Sequence, residues 1–226
     1  MKTIALSLVL LPFVFGCESH QQMTSGTTPK STTIINAKLS YGFETFGPKG
    51  LPPAWEVGET NGRGKLATWD KVPGKKGAGF GVLHTENSGS TFNMALLQGV
   101  ERKDFVAELW VQARSGREDQ GGGLVWRAKD FDNYYICRWN PLEDNYRFYK
   151  VVQGRRSMLA TSKVHTDPKA WHKLRVEVEG PKVKLYFDGA LKMEAEDSSL
   201  EKAGRFGLWT KADAATSFDE VKIHWQ

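Results

Sequence analysis

The chain has 226 residues, of which 40% are apolar and 25% charged, with a formal net charge of +5. This composition excludes a largely disordered chain. Lys and Arg are scattered among Asp and Glu with no long basic run, which argues against nucleic acid as a partner, because nucleic-acid surfaces concentrate basic residues in one stripe. The two cysteines, Cys17 and Cys137, form no Cys-x-x-Cys pair or zinc spacing.

The N-terminus has the composition of a secretory signal. Lys2 precedes an apolar stretch, Ile4 to Phe15, that is too short for a convincing membrane span. The run Val14-Phe15-Gly16-Cys17 resembles a bacterial lipobox, although Phe15 departs from the residue type usual there. We therefore predict a signal peptide over 1–16, lipidation of Cys17, and an exported protein anchored by lipid in the cell envelope, periplasmic or on the cell surface. The alternative is an ordinary signal peptide with a chance cysteine.

A polar segment rich in Ser, Thr, Gln and Gly follows the cysteine. Residues 17–33 have little to bury, and this composition predicts a flexible tether. The folded domain is predicted over 34–226. In its first half, Gly and Pro separate short strands that we expect near 55–60, 65–72, 78–85 and 91–97.

Residues 104–114 have the alternation of a half-buried strand. Phe105, Ala107, Leu109 and Val111 alternate with a polar set that nevertheless contains Trp110. A large ring on a polar strand face is expected to lie under a loop or to stack on a ligand.

The stretch Gly121 to Val152 predicts a three-stranded antiparallel meander. Three runs of aromatic and β-branched residues alternate with two loops of Asp, Asn and Pro, the residues that bound strands. Alternate side chains of a strand point to opposite faces. One face of the meander is therefore expected to be core, and the other to carry rings and guanidinium groups.

The C-terminal third continues as hairpins. Glu179-Gly180 and Asp188-Gly189 are hairpin signals between alternating runs, residues 198–203 are expected to form one helical turn, and the last strands are predicted over 205–212 and 217–223. Many short strands with close turn signals predict an all-β, two-sheet antiparallel β-sandwich.

Several of these runs carry a family resemblance over about residues 40–225. The runs are Trp171-His-Lys-Leu-Arg-Val-Glu-Val-Glu-Gly, Gly204-Arg-Phe-Gly-Leu-Trp-Thr-Lys-Ala and Phe218-Asp-Glu-Val, together with Gly-Leu-Val-Trp-Arg and Asp-Asn-Tyr-Tyr in the meander. They resemble the concanavalin A-like, laminin-G-like jelly roll, and more narrowly the bacterial 3-keto-disaccharide hydrolase domain. The resemblance implies a sandwich whose concave front sheet binds or cleaves sugars.

We expect a cell-envelope lipoprotein whose sandwich binds carbohydrate on an aromatic and Arg-rich sheet face. Stacking of rings on sugars and placed polar groups would supply the contacts, while Trp126 and Tyr135 are alternatively pure core. An arginine buried without a partner is costly, so the arginines should reach solvent, a ligand, or acids such as Glu143 and Asp144. The candidate binding residues are Trp110, Arg127, Tyr134, Arg138, Asn140, Arg147 and Trp209.

Two other functions stay open. A glycoside-processing enzyme of the 3-keto-disaccharide hydrolase or lyase type would need a general acid or base, for which Glu108, Asp144 and His172 are candidates; the Glu-x-Asp-x-x-Glu strand of related glucanases is missing. A laminin-G-like protein-interaction domain is the other.

No cofactor is predicted. Some related jelly rolls bind calcium where Glu44 and Asp219 stand here, but a pair of ordinary edge acids is the favoured interpretation.

Overall fold

The structure is a computed structural model that describes residues 38–44 and 50–225. The predicted signal peptide, Cys17 and the tether lie outside the described residues. Within the described residues no helix is long and apolar enough to cross a membrane.

Fifteen strands and one short 3-10 helix, Thr60–Gly62, make up this part of the chain. The strands are β1 (Lys38–Tyr41), β2 (Trp55–Glu59), β3 (Thr68–Pro73), β4 (Ala78–His84), β5 (Phe92–Arg102), β6 (Phe105–Ser115), β7 (Gly122–Asp130), β8 (Asn133–Asn140), β9 (Asn145–Val152), β10 (Arg155–Lys163), β11 (His172–Glu179), β12 (Lys182–Phe187), β13 (Ala190–Glu196), β14 (Gly204–Lys211) and β15 (Ala215–His224).

The strands form two antiparallel sheets. The front sheet has the order β10-β9-β8-β7-β14-β5-β2. The back sheet has the order β13-β12-β11-β6-β15-β4-β3, and β1 pairs with β15. The predicted all-β sandwich is confirmed, and so is the meander, as β7, β8 and β9.

Alternation along the strands builds the core between the sheets. Leu109 and Val111 of β6 meet Trp126, Trp139 and Phe148 of the meander in one buried cluster. The core role of Trp126 and Tyr135 is thus the interpretation that holds, and Cys137 is buried in the same cluster. Burial raises the pKa of the Cys137 thiol to about 11, so this cysteine is an inert apolar filler.

Four elements differ from the sequence-based expectation. The helical turn expected over 198–203 is wrong: this segment is an irregular turn. Its backbone N–H groups donate to side chains instead, Ser199 to Asp197 and Leu200 to the Tyr135 hydroxyl, so they form no helical ladder. No bounds were predicted for the strands β1, β10 and β13, although the hairpin signal at Asp188-Gly189 implies a strand after it; all three strands lie at sheet margins and lack a clear apolar alternation.

Candidate functional site

The outer face of the front sheet carries a second buried cluster. Along β8, the odd-numbered residues from Tyr135 to Trp139 enter the core, so Tyr134, Arg138 and Asn140 all point to the opposite face. Trp209 of β14 and Tyr149 of β9 join Tyr134 there. The predicted division of the meander into a core face and a face of rings and guanidinium groups is therefore confirmed.

A relay of hydrogen bonds fixes the rings of this cluster. The indole N–H of Trp209 donates to the Tyr134 hydroxyl at 3.1 Å. The Thr60 hydroxyl donates to the carbonyl of Phe131, so the Tyr134 hydroxyl donates to Thr60, at 2.8 Å. Burial raises the pKa of Tyr134 far above its ordinary value, although these hydrogen bonds act against that rise. Tyr134 and Trp209 are both fully buried, so they form the base of the site and not its open wall.

An acid missed in the sequence organises the polar half of this face. Asp119, in the loop between β6 and β7, accepts two hydrogen bonds from Arg138 at 2.7 and 2.9 Å and one from Lys211 at 2.9 Å. Asn140 approaches the same carboxylate at 3.4 Å. Asp213 holds the loop in place, because it accepts the backbone N–H groups of residues 117–119.

Burial and ion pairing shift the pKa of Arg138 in opposite directions. Burial alone would lower its pKa, but Asp119 outweighs burial and the pKa is raised. Arg147 continues the network outward: its guanidinium donates to Glu143 at 2.9 Å and to the Tyr149 hydroxyl at 3.4 Å. The expectation that these arginines reach Glu143 is confirmed, whereas Asp144 instead pairs with His165.

Arg156 crosses this face from the edge strand β10. Its guanidinium carbon lies 4.4 Å from the ring centroid of Tyr149, 4.8 Å from that of Phe92 and 5.9 Å from that of Trp209. These rings belong to β9, β5 and β14. Four strands separate β10 from β5, so one side chain reaches all three rings only because the front sheet curves around it. The face is concave.

An open pocket lies next to Arg156, with a volume of about 400 Å³, inside the range of small-ligand sites. The loop after the 3-10 helix, the β9–β10 turn and the start of β5 surround it; its lining residues are Asn61, Arg63, Ser90, Thr91, Phe92, Gly154 and Arg156. Asn61 joins the two loops, since its side-chain amide donates to the Gly154 carbonyl at 3.0 Å.

Five of the seven predicted binding residues therefore share one face. They are Tyr134, Arg138, Asn140, Arg147 and Trp209, and whether they contact a sugar stays a prediction. Trp110 does not join them. It lies on the outer face of the back sheet, where the Lys75 ammonium is 4.1 Å from its ring centroid. There it lines a separate, shallow apolar hollow with Trp171 and His172.

Arg127 also falls outside the site. It has a positive φ of 47° at an irregularity in the β7–β8 pairing, which turns it out of the strand alternation. Its guanidinium donates to the carbonyls of Lys103, Gly180 and Leu200, and it is 2% exposed. Arg127 thus ties three loops together at one end of the sandwich.

The acid–base candidates do not converge. Glu108, on β6, pairs with Lys173 and Arg175 on the back sheet. Asp144 lies in the β8–β9 turn with His165. His172 has Asp188 at 2.7 Å from one ring nitrogen and the Asp167 carbonyl at 2.9 Å from the other, so neither nitrogen is free for a substrate.

The Glu44 and Asp219 pair has the surroundings of structural acids. Asp219 is fully buried and accepts the backbone N–H groups of Lys75, Lys76 and Glu220, so its oxygens hold a loop. Burial raises the pKa of Asp219, and the nearby charge of Glu44 adds to that rise. Among residues 38–44 and 50–225, no group of three His, Cys, Asp or Glu side chains is placed to hold a metal ion.

Comparison with known proteins agrees with this architecture. A model of the family described as 3-keto-alpha-glucoside-1,2-lyase-like domain matches residues 58–224. Levanase of Bacillus subtilis (strain 168) is 30% identical over 200 residues, which are 87% of this chain but only 26% of the levanase, so the chain spans about a quarter of that protein.

Solved structures show the same sandwich. The carbohydrate binding module CBM66 from Bacillus subtilis has a TM-score of 0.61 and 26% identity, over 76% of this chain and 96% of that one. Domain 4 of the arabinanase AbnA from Geobacillus stearothermophilus, in complex with arabinotriose, has a TM-score of 0.54 at 16% identity over 82% and 90% of the two chains. Bacillus licheniformis beta-glucanase has a TM-score of 0.58 at 12% identity, over 84% and 99%. The last two share only the jelly-roll fold with this chain.

Proposed function

The chain belongs to the 3-keto-alpha-glucoside-1,2-lyase-like domain family, and on that premise we propose that it binds carbohydrate on the concave face of its front sheet. The observation that carries the proposal is the convergence of Arg156, Phe92 and Tyr149 on this face, where Arg156 and Phe92 line one open pocket. Sugar sites combine apolar surfaces for ring faces with a few oriented polar groups. The likeness to a carbohydrate binding module over 96% of that module's length supports the same role.

Blocking the pocket tests the proposal. Ser90 is an exposed lining residue, so Ser90→Trp fills the pocket without disturbing the core. Ser157, exposed on β10 outside the lining, provides the matched control Ser157→Trp. We expect a glycan array to bind the wild type and the control, and the Ser90→Trp protein to lose at least about tenfold in affinity, the loss of about 1.4 kcal/mol of contact. Equal binding by both variants would place the glycan elsewhere.

We further propose that the protein is a lipoprotein of the cell envelope. The support is the sequence alone: the apolar stretch up to Phe15 and the lipobox-like run ending at Cys17. Metabolic labelling with a radioactive fatty acid should modify the wild type and leave Cys17→Ser unlabelled. Labelling of the Cys17→Ser protein would contradict this assignment.

A glycoside-processing reaction is the alternative that the family description favours. The geometry gives it less support, because Glu108, Asp144 and His172 lie in three separate places and each is already paired. Incubation with a panel of 3-keto-disaccharides decides the matter. Turnover that disappears in one carboxylate variant would make the protein an enzyme; binding without turnover supports a module. An array without any glycan binding would favour the protein-interaction alternative.

A further inference from the structure

The pocket on the concave face is lined by cations and by no acid. Arg63 and Arg156 are its charged residues, and the remaining lining side chains are neutral. Arg63 is exposed and forms no ion pair within residues 38–44 and 50–225. This charge balance differs from that of the neighbouring network, in which Arg138 and Lys211 share Asp119, and Arg147 pairs with Glu143.

Arg156 has no counter-ion among the residues that the structure describes, although most of its surface is covered. The rings of Tyr149, Phe92 and Trp209 stabilise its charge by cation–π contact. Aromatic rings supply no oxygen acceptor for the N–H groups of the guanidinium. One terminal nitrogen, Nη1, is buried and has no hydrogen-bond partner in the described part of the chain. A buried donor without an acceptor is unfavourable, so the guanidinium keeps an unmet demand for an acceptor at the place where Arg156 lines the pocket.

The acids around the pocket are engaged elsewhere. Asp132 accepts the backbone N–H of Asn61, and Glu59 accepts that of Gly64. Glu118 accepts the backbone N–H of Gly89. Asp119 lies between Arg138 and Lys211. None of these four carboxylates is paired with Arg156 or Arg63. The positive charge of the pocket therefore faces whatever enters it.

We infer that the glycan seated in this pocket carries an anionic group, a carboxylate or a sulfate ester, which Arg156 binds together with Arg63. The inference rests on the proposed carbohydrate function and names the substrate class for it. An oxyanion fits the fork of N–H donors in a guanidinium, and charge-assisted hydrogen bonds of this kind are about twice as strong as neutral ones. A sugar hydroxyl would accept one hydrogen bond and leave the charge uncompensated.

Matched pairs of glycans test the inference. An array carries uronic-acid oligosaccharides beside their carboxyl-reduced neutral counterparts, and sulfated oligosaccharides beside unsulfated ones. We expect the purified protein to bind the acidic member of a pair at least about tenfold more tightly, with an affinity that falls as salt is raised. The uronate and sulfate arms identify which anion is bound.

Arg156→Gln and Arg155→Gln form the variant and its control. Both remove one positive charge from neighbouring positions on β10, but Arg155 is exposed and does not line the pocket. We expect Arg156→Gln to abolish the preference for the acidic member and Arg155→Gln to retain it. Equal binding of neutral and acidic partners by the wild type would overturn the inference and leave the proposed function standing. Binding to no glycan would overturn both.

Discussion

Replacing Asp119 by asparagine is expected to destabilise the protein strongly. Asp119 and Arg138 are 1% and 2% exposed, and the carboxylate accepts two hydrogen bonds from that guanidinium. Asp119→Asn keeps the size of the side chain but removes the charge, which leaves Arg138 ionised in a site closed to water. Removal of one partner of a buried pair costs about 3–5 kcal/mol. Lys211, which is more exposed, can turn towards solvent, so we expect a loss of about 3 kcal/mol in the free energy of unfolding.

Urea denaturation followed by tryptophan fluorescence measures this loss. The control is Glu194→Gln, which breaks an exposed 3.4 Å pair with Lys184 and is expected to cost about 0–1 kcal/mol. The double variant Asp119→Asn with Arg138→Gln separates the effect of the unpaired charge from the effect of changing the side chains. Because it removes both charges, it should recover part of the stability that the single variant loses. A single variant no less stable than the control would refute the reasoning, and so would a double variant whose loss is the sum of the single ones.

Three further outcomes are expected. Tyr134→Phe should lower the free energy of unfolding by about 1–3 kcal/mol, because the buried indole N–H of Trp209 loses its acceptor; a change below that of Glu194→Gln would contradict this. Arg127→Gln should lower the free energy of unfolding by about 2–4 kcal/mol, since three loop carbonyls lose donors. Titration calorimetry should show an unchanged glycan affinity, and a loss of affinity in the folded variant would return Arg127 to the site. Burial opposes ionisation of Asp197, but hydrogen bonds from Lys150, Tyr135 and Ser199 outweigh it and lower its pKa to about 2. Its stabilisation is therefore fully present above pH 3.8 and lost as the pH falls towards 2, so acid unfolding curves of Asp197→Asn should be flatter over this window than those of the wild type.

The sandwich and its central meander could be predicted because alternation is a local property. Along β8, the alternation of side chains predicts that Tyr134, Arg138 and Asn140 share a face, and they do so in the structure. The same rule failed for Arg127, because the irregularity in the β7–β8 pairing has no signature in the sequence. Trp110 was assigned to the site because its strand shows an aromatic on a polar face, but the alternation of one strand does not reveal which sheet contains it.

The remaining site residues depend on long-range contacts. Asp119 lies in a loop without any pattern, and it reaches Arg138 and Lys211 only through strand order and the backbone contacts of Asp213. Arg156 belongs to an edge strand of mixed polarity, and only the curvature of the sheet brings it over Phe92. Neither feature leaves a periodic signal. The excess of basic residues in the composition was the single hint that unpaired cations exist.

The pairing of β1 with β15 brings Lys38 opposite His224. The two ends of the sandwich are therefore neighbours, and a short linker could join them while new ends are opened at Glu201 and Lys202, an exposed stretch between β13 and β14. Such a circular permutant would retain every strand partner described above. It would also move the free chain ends to the loop between β13 and β14, so that a fusion partner could be attached there.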